Sequence, residues 1–188
     1  MTEVLPLAQE PSGERKFIAD VHLGRLAKYL RLCGFDTLYG MSLTDRAIIN
    51  LSLAEDRIIL SRDKELLQNR HVIQSFRIMS AEPVEQLKEV LNRFDLRNNL
   101  HPFTRCTICN GEVAGVVKEE IDKALQPKTR NYYDEFKKCT SCGKIYWEGS
   151  HYKRMKEFVN SLVGSPQSAV TNHQSPITNH QSPITNNQ

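Results

Sequence analysis

No apolar run in this chain of 188 residues approaches the roughly 18–20 residues that a helical membrane span needs. The longest stretch without Lys, Arg, Asp or Glu lies at the C-terminal end and is rich in Asn, Gln and Ser instead. A large excess of one charge is also missing, since 25 Lys and Arg face 22 Asp and Glu for a net charge of +3. Aromatics are sparse at 7%, with one Trp. With 39% hydrophobic and 25% charged residues, the composition excludes a fully disordered chain, a collagen-like chain and a disulfide-dense miniprotein. The N-terminus does not read as a secretory leader. Glu3, Glu10 and Glu14 precede the first basic residue, Arg15, and the apolar stretch around Leu5 is short. The expected compartment is therefore the cytoplasm, with no membrane partner.

The pattern of residues divides the chain into four parts. Residues 1–14 read as a flexible leader containing Pro6, Pro11 and Gly13. Residues 15–100 alternate short apolar runs with helical periodicity. Lys16 to Ala19 reads as a buried strand, and Leu23, Leu26, Ala27 and Leu30 then recur on one helical face. Gly34 ends that helix, and Phe35 to Tyr39 forms a second strand. Thr44 caps a helix carrying Ala47, Ile48, Leu51 and Ala54 on its inner face. Arg57 to Ser61 is a third strand, Lys64 to Gln68 a short helix, His71 to Met79 holds a fourth strand, and Pro83 to Phe94 is a helix with Pro near its first position. This alternation predicts an α/β fold, a parallel sheet with helices on both faces. Residues 101–158 change character, with four cysteines and no long periodicity, and Lys118 to Leu125 is expected to lengthen extended hairpin arms there. Residues 159–188 read as a disordered low-complexity tail. Its seven-residue repeat carries Pro each time and few apolar residues, which excludes a coiled coil. The folded parts are each mildly basic, which permits a polyanionic partner without requiring one.

In a parallel sheet, ligands bind outside the carboxyl ends of the strands. Asp20 follows the first strand, Asp45 lies in the first turn of the helix after the second, and Asp63 follows the third with Glu65 two residues on. All four acids are thus expected on one rim, where clustered carboxylates suit a hard divalent ion such as Mg²⁺ or Mn²⁺. Helix N-termini also favour acids without any ligand, and Asp45 and Asp63 are open to that explanation. Glu55, Asp56 and Asp36 lie at the other end of their elements and are left out. Arg25, Lys28 and Arg31 recur every three residues along the first helix, and Arg62 precedes Asp63. Arg25 and Arg62 lie nearest the rim, and Lys28 and Arg31 fit a solvated face at least as well.

The cysteines carry the stronger signal. Cys106-x-x-Cys109 and Cys139-x-x-Cys142 are two knuckle sequences, each followed by a residue tolerant of positive φ, Asn110 or Gly143. Two such knuckles make a tetrahedral four-sulfur zinc site. Four thiolates close the coordination shell, so this metal is expected to be structural. Cys33 reads as a buried small hydrophobe. Beyond the last knuckle, aromatics interleave with bases from Lys144 to Arg154. Tyr146 and Trp147 either stack on nucleobases or form the core of the zinc module, and packing is the reading favoured for Trp147. His151, Lys153 and Arg154 remain candidate RNA contacts.

Five stretches together carry a family resemblance: FIADVHLGRLAKYLRLCGFDTLY, TDRAI, IILSRDKELL, RCTICNGEV and CTSCGKIYWEGSHYKRM. Over residues 16–154 the chain resembles the Mut-seven C-terminal (Mut-C) ribonuclease family, a PIN-like nuclease domain with a zinc ribbon. The resemblance implies a PIN-like fold, dependence on Mg²⁺ or Mn²⁺ and action on RNA. Carried onto this chain, it implies Asp20, Asp45 and Asp63 as the acidic set, with Glu65 standing where related small domains often have Asp. The expectation is a metal-dependent ribonuclease with catalytic Asp20, Asp45, Asp63 and Glu65. Substrate contacts are expected from Arg25, Arg62, Lys28, His151 and Arg154, and structural zinc on Cys106, Cys109, Cys139 and Cys142. The rival is a non-catalytic RNA-binding or ribosome-associated adaptor with a decayed acidic site. A phosphotransfer receiver ranks last, because Asp20 is followed by Val21 and His22 rather than by a second acid.

Overall fold

A computed structural model describes residues 15–163. The expected leader and residues 164–188 of the expected tail lie outside the described residues. The first part alternates strand and helix: β1 (Lys16–Ala19), α1 (Gly24–Leu32), β2 (Thr37–Tyr39), α2 (Asp45–Glu55), β3 (Arg57–Ser61), α3 (Lys64–Leu67), β4 (Ser75–Arg77) and α4 (Pro83–Arg93). The strands form one parallel sheet in the order β2-β1-β3-β4. The α/β architecture expected from the alternation is the one found.

The central strands are apolar on both sides because both sheet faces are covered. Phe17, Ala19, Ile58 and Leu60 point to one face, where they meet Leu26, Ala27 and Leu30 of α1 and Leu87, Val90 and Leu91 of α4. Ile18 and Ile59 point to the other, against Ile48 and Ile49 of α2 and Leu66 of α3. The one-residue alternation along a strand therefore sorts the two cores. Cys33 is fully buried in the first of them, and burial pushes its thiol up to about 12.

The second part is a three-stranded antiparallel sheet of β5 (Val113–Val116), β6 (Phe136–Cys139) and β7 (Ile145–Trp147), followed by α7 (Ser150–Val163). Its core is Ile121, Leu125 and Phe136, with Val116, Tyr133 and Ile145 against it. Three expectations are corrected here. Lys118–Leu125 is not extended: α5 (Lys118–Ile121) and α6 (Pro127–Tyr132) fill the gap between β5 and β6. Glu119 and Glu120 in the first turn of α5 and Pro127 at the start of α6 favour that helical conformation. The ribbon's core is not Tyr146 and Trp147. Trp147 sits at the edge of the sheet near Tyr133 and remains 39% exposed. Order also continues past residue 158. Met155, Phe158, Val159 and Leu162 lie on one face of α7, at i, i+3, i+4 and i+7, and pack into the α1–α4 core.

The two parts are joined at Gly34. Its φ of +99° turns the chain out of α1, and a Cβ there would strike the carbonyl of His101. The linker runs alongside the end of α1, with His101 N–H donating to Cys33 O at 2.9 Å and Phe103 N–H to Leu32 O at 3.1 Å.

Candidate active site and metal centre

Because the sheet is parallel, the carboxyl ends of all its strands lie on one edge. Asp20 follows β1 directly, and its backbone N–H donates to Leu60 O at 3.0 Å. The side chain is 4% exposed. One carboxylate oxygen accepts from His22 N–H at 2.6 Å, and the other accepts from the hydroxyl of Ser61. Ser61 is the last residue of β3, fully buried, and its oxygen also accepts from Asp63 N–H at 2.9 Å. One hydroxyl thus ties the carboxylate after β1 to the backbone of the acid after β3. Ser61 was missed in the sequence, where its signal is faint: a single hydroxyl ending an otherwise apolar strand immediately before Arg62 and Asp63.

The other acids are exposed. Asp63 is the N-cap of α3, its carboxylate accepting from Glu65 N–H at 2.7 Å, so the capping role is real for that residue. Asp45 is not a cap. Thr44 fills that position, accepting from Ala47 N–H at 3.3 Å, and Asp45 stands free in the first turn of α2. Among the described residues, the group of three or more potential ligands gathered within 4.8 Å is the cysteine set alone. Asp20, Asp45 and Asp63 are not gathered to that spacing.

The predicted substrate contacts divide between two places. Arg25 is exposed at the start of α1 and Arg62 is exposed beside Asp63. Lys28 and His151 instead line a cleft of about 1150 Å³ between α1, the ribbon and α7, together with Tyr133, Tyr146 and Trp147. Arg154 is exposed on α7. Arg31 is no solvated residue. It is buried, and its guanidinium donates to Thr37 O at 2.8 Å and, across the module boundary, to Ile108 O at 2.8 Å.

The four knuckle cysteines come together with every sulfur within 4.8 Å of the others. Cys106 and Cys142 sulfurs are 3.6 Å apart, and Cys109 and Cys139 sulfurs 3.4 Å apart. Tetrahedral Zn–S bonds of about 2.3 Å imply sulfur separations of about 3.8 Å, so the set fits such an ion with little movement. The turns have the expected form. Asn110 and Gly143 adopt φ of 73° and 72°. Gly111 N–H then points at the Cys109 sulfur and Cys142 N–H at the Cys139 sulfur, both at 3.5 Å. Tyr146 places its hydroxyl 3.0 Å from the Cys106 sulfur. Burial pushes the Cys106 thiol up, but the Tyr146 hydroxyl and the backbone N–H groups of Cys109 and Ile108 outweigh it and bring the thiol down to about 6. Burial and the neighbouring sulfurs push the Cys109 thiol up to about 12, so the cluster by itself favours a thiolate at Cys106 and not at Cys109, and a bound cation would be what deprotonates the full set.

The first knuckle also docks on the sheet. Asn110 accepts from Thr37 N–H at 2.9 Å and donates to the Asp36 carboxylate at 2.7 Å. Asp36 is further held by Arg57 at 2.6 Å. Partial burial would raise the Asp36 carboxyl, yet the hydrogen bonds from Arg57 and Asn110 and the charges of Arg57 and Arg105 hold it below the usual range. Asp36 is thus a joint between the modules.

Residues 15–159 match the family profile described as the Mut7-C RNAse domain. No curated protein and no solved structure matches the chain.

Proposed function

Since the chain belongs to the Mut7-C RNAse domain family, we propose that it hydrolyses RNA phosphodiester bonds at the carboxyl rim of its parallel sheet. Asp20, Asp45 and Asp63, with Glu65, would hold Mg²⁺ or Mn²⁺, and the four knuckle cysteines a structural Zn²⁺. The observation that carries this reading is the Ser61 hydroxyl, which holds the buried Asp20 carboxylate beside Asp63 at the ends of adjacent strands. A buried acid fixed on both oxygens keeps lone pairs for one further partner on the open side. Mg²⁺ retains several waters and takes one or two carboxylates plus substrate phosphates. A rim whose carboxylates stand apart before RNA arrives fits that habit better than a closed cage would.

When bound, the divalent ion supplies Lewis-acid activation of water and neutralises charge on the phosphate. The protein's own part is positional. Asp20 is the rigid ligand, Asp63 and Asp45 are exposed ligands on helix starts, and Arg25 and Arg62 meet phosphates of the strand. Lys28, His151 and Arg154 extend the contact toward the ribbon. Four thiolates leave zinc no open position, so it acts as scaffold. Our reading places the protein in the cytoplasm, a reducing compartment in which thiolates stay available to metal.

The test is cleavage of mixed single-stranded RNA in Mg²⁺ or Mn²⁺. Asp63→Asn is expected to lose turnover while keeping its fold, and full activity in that variant would remove Asp63 from the mechanism. Ser61→Ala is expected to weaken Mn²⁺ binding roughly 10- to 100-fold by releasing Asp20. The separation of the exposed carboxylates favours one second reading, a non-catalytic RNA-binding adaptor. Calorimetry that detects no Mn²⁺ uptake by the wild-type chain, alongside intact RNA binding, would select it.

A further inference from the structure

A second cleft opens on the same rim, on the β4 side of the acids. It has a volume of about 220 Å³ and is lined by His22, Arg62, Arg77, Ile78 and Met79. We propose that it is a phosphate-binding subsite, in which Arg77, Arg62 and His22 hold a phosphate of the RNA strand next to the acidic cluster. This rests on the ribonuclease reading and adds to it a phosphate contact on the β4 side of the acids.

The topology makes the cleft. β1, β3 and β4 are parallel neighbours, and Ser61 pairs with Arg77 in the β3–β4 register. His22 lies two residues beyond Asp20, Arg62 one beyond the end of β3, and Arg77 closes β4. Three basic side chains from three consecutive strands therefore emerge on one edge. The floor is fixed by Ile78 N–H donating to Ser61 O at 2.9 Å. The outgoing chain is fixed by Met79 and Ser80 N–H groups donating to the Glu89 carboxylate at 2.9 and 2.7 Å. Ser61 is thus shared: its carbonyl anchors the cleft and its hydroxyl anchors Asp20.

The charge is one-sided. No acid lines the cleft. Among the described residues, ion pairs engage Arg57, Lys88, Arg105, Lys118 and Arg130, and none engages His22, Arg62 or Arg77. Two guanidinium groups converging without a carboxylate repel each other until an anion enters, and the planar arginine fork matches phosphate oxygens. The volume is below the roughly 300–1,000 Å³ of sites for drug-sized ligands, and suits one phosphate or sugar-phosphate unit. The ribbon docks at the opposite edge of the sheet, where Asn110 meets Thr37 of β2.

The test is fluorescence anisotropy with a short labelled single-stranded RNA, in Ca²⁺ to suppress turnover, over a salt series. Arg77→Gln and Arg62→Gln are each expected to weaken binding about three- to tenfold and to lower the salt-dependence slope by about 0.7, the loss of one phosphate contact on a single strand. Arg77→Lys should recover part of the affinity, and Lys88→Gln, on α4 outside the cleft, should bind as wild type. In the cleavage assay Arg77→Gln should raise KM more than it lowers kcat. Wild-type affinity and slope in both arginine variants would overturn the subsite even if Asp63→Asn is inactive, which leaves the ribonuclease reading standing. Arginine-dependent binding by a wild-type chain that never cleaves RNA in Mg²⁺ or Mn²⁺ would keep the subsite and sink the ribonuclease. A wild-type chain that does not bind the RNA overturns both.

Discussion

The parallel sheet and the ribbon each deliver a few chemically active side chains to fixed positions, and they do so by different physics. The sheet has fully buried side chains on both faces, from Phe17, Ile18, Ile59 and Leu60 to helix residues such as Leu26, Leu30 and Leu91. Its acids sit at strand ends whose positions follow from that packing. The ribbon buries Ile121, Leu125 and Phe136 and little else of its own. Each large apolar side chain is worth about 1.5–3 kcal/mol when buried. A structural zinc in a small module is worth about 10–16 kcal/mol. On that scale an ion held by the four sulfurs would outweigh the ribbon's own apolar core, whereas the sheet is held by two apolar cores of its own.

The boundary between the two is polar and specific. Asn110 on the first knuckle satisfies the N–H of Thr37 on the outer strand β2, and Arg31 from the sheet side satisfies two carbonyls of the knuckle. The ribbon thus covers part of a sheet edge that would otherwise present unpaired groups.

The largest expected effect that would sharpen this contrast is loss of zinc. Chelation, or Cys139→Ser, should abolish amide protection in the ribbon while β1 and β3 keep theirs in hydrogen exchange. Equal protection of the ribbon before and after chelation would show that its apolar core suffices. Next comes the converse cut. Leu26→Ala should cost the sheet about 2–5 kcal/mol in urea unfolding without changing bound zinc measured at low denaturant. Smaller is the joint. Asn110→Gly keeps the positive φ but removes the side chain, leaving Thr37 N–H and Asp36 short of partners, and should cost about 1–3 kcal/mol in the same assay. The smallest concerns pH. The Asp36 carboxyl is held below its unfolded value of about 3.9, so its stabilising contribution is complete above that pH and disappears as pH falls through the folded value. The stability difference between wild type and Asp36→Asn should accordingly be full at pH 6 and shrink below pH 4. A constant difference would remove the Arg57–Asp36 pair as its source.

Much of this was readable in advance where the cause is local. The apolar runs of β1 and β3, the Thr44 cap, Pro83 opening α4 and the two knuckles with Asn110 and Gly143 all follow from neighbouring residues, and the structure has each of them. The stripe of Arg25, Lys28 and Arg31 shows the limit. Its spacing suggests a solvated face, and only the arrival of the knuckle decides that Arg31 is buried. Ser61 is a similar case, since its role depends on β1 and β3 being neighbours. The end of α7 was obscured by the low-complexity stretch that follows it, although Val159 and Leu162 continue the apolar stripe of Met155.

Periodicity and spacing by themselves determined the element types of residues 15–100, the covered parallel sheet and the four-sulfur centre, because each depends on bonds and contacts within a few residues or on one invariant geometry of thiolates. Strand order, the meeting of Asp20 with Ser61, the basic cleft of His22, Arg62 and Arg77, and the docking of Asn110 on Thr37 were decided by the tertiary structure alone. Each joins residues far apart in the chain, and no local preference encodes which distant backbone N–H or carboxylate will lie within hydrogen-bonding distance once the two cores have closed.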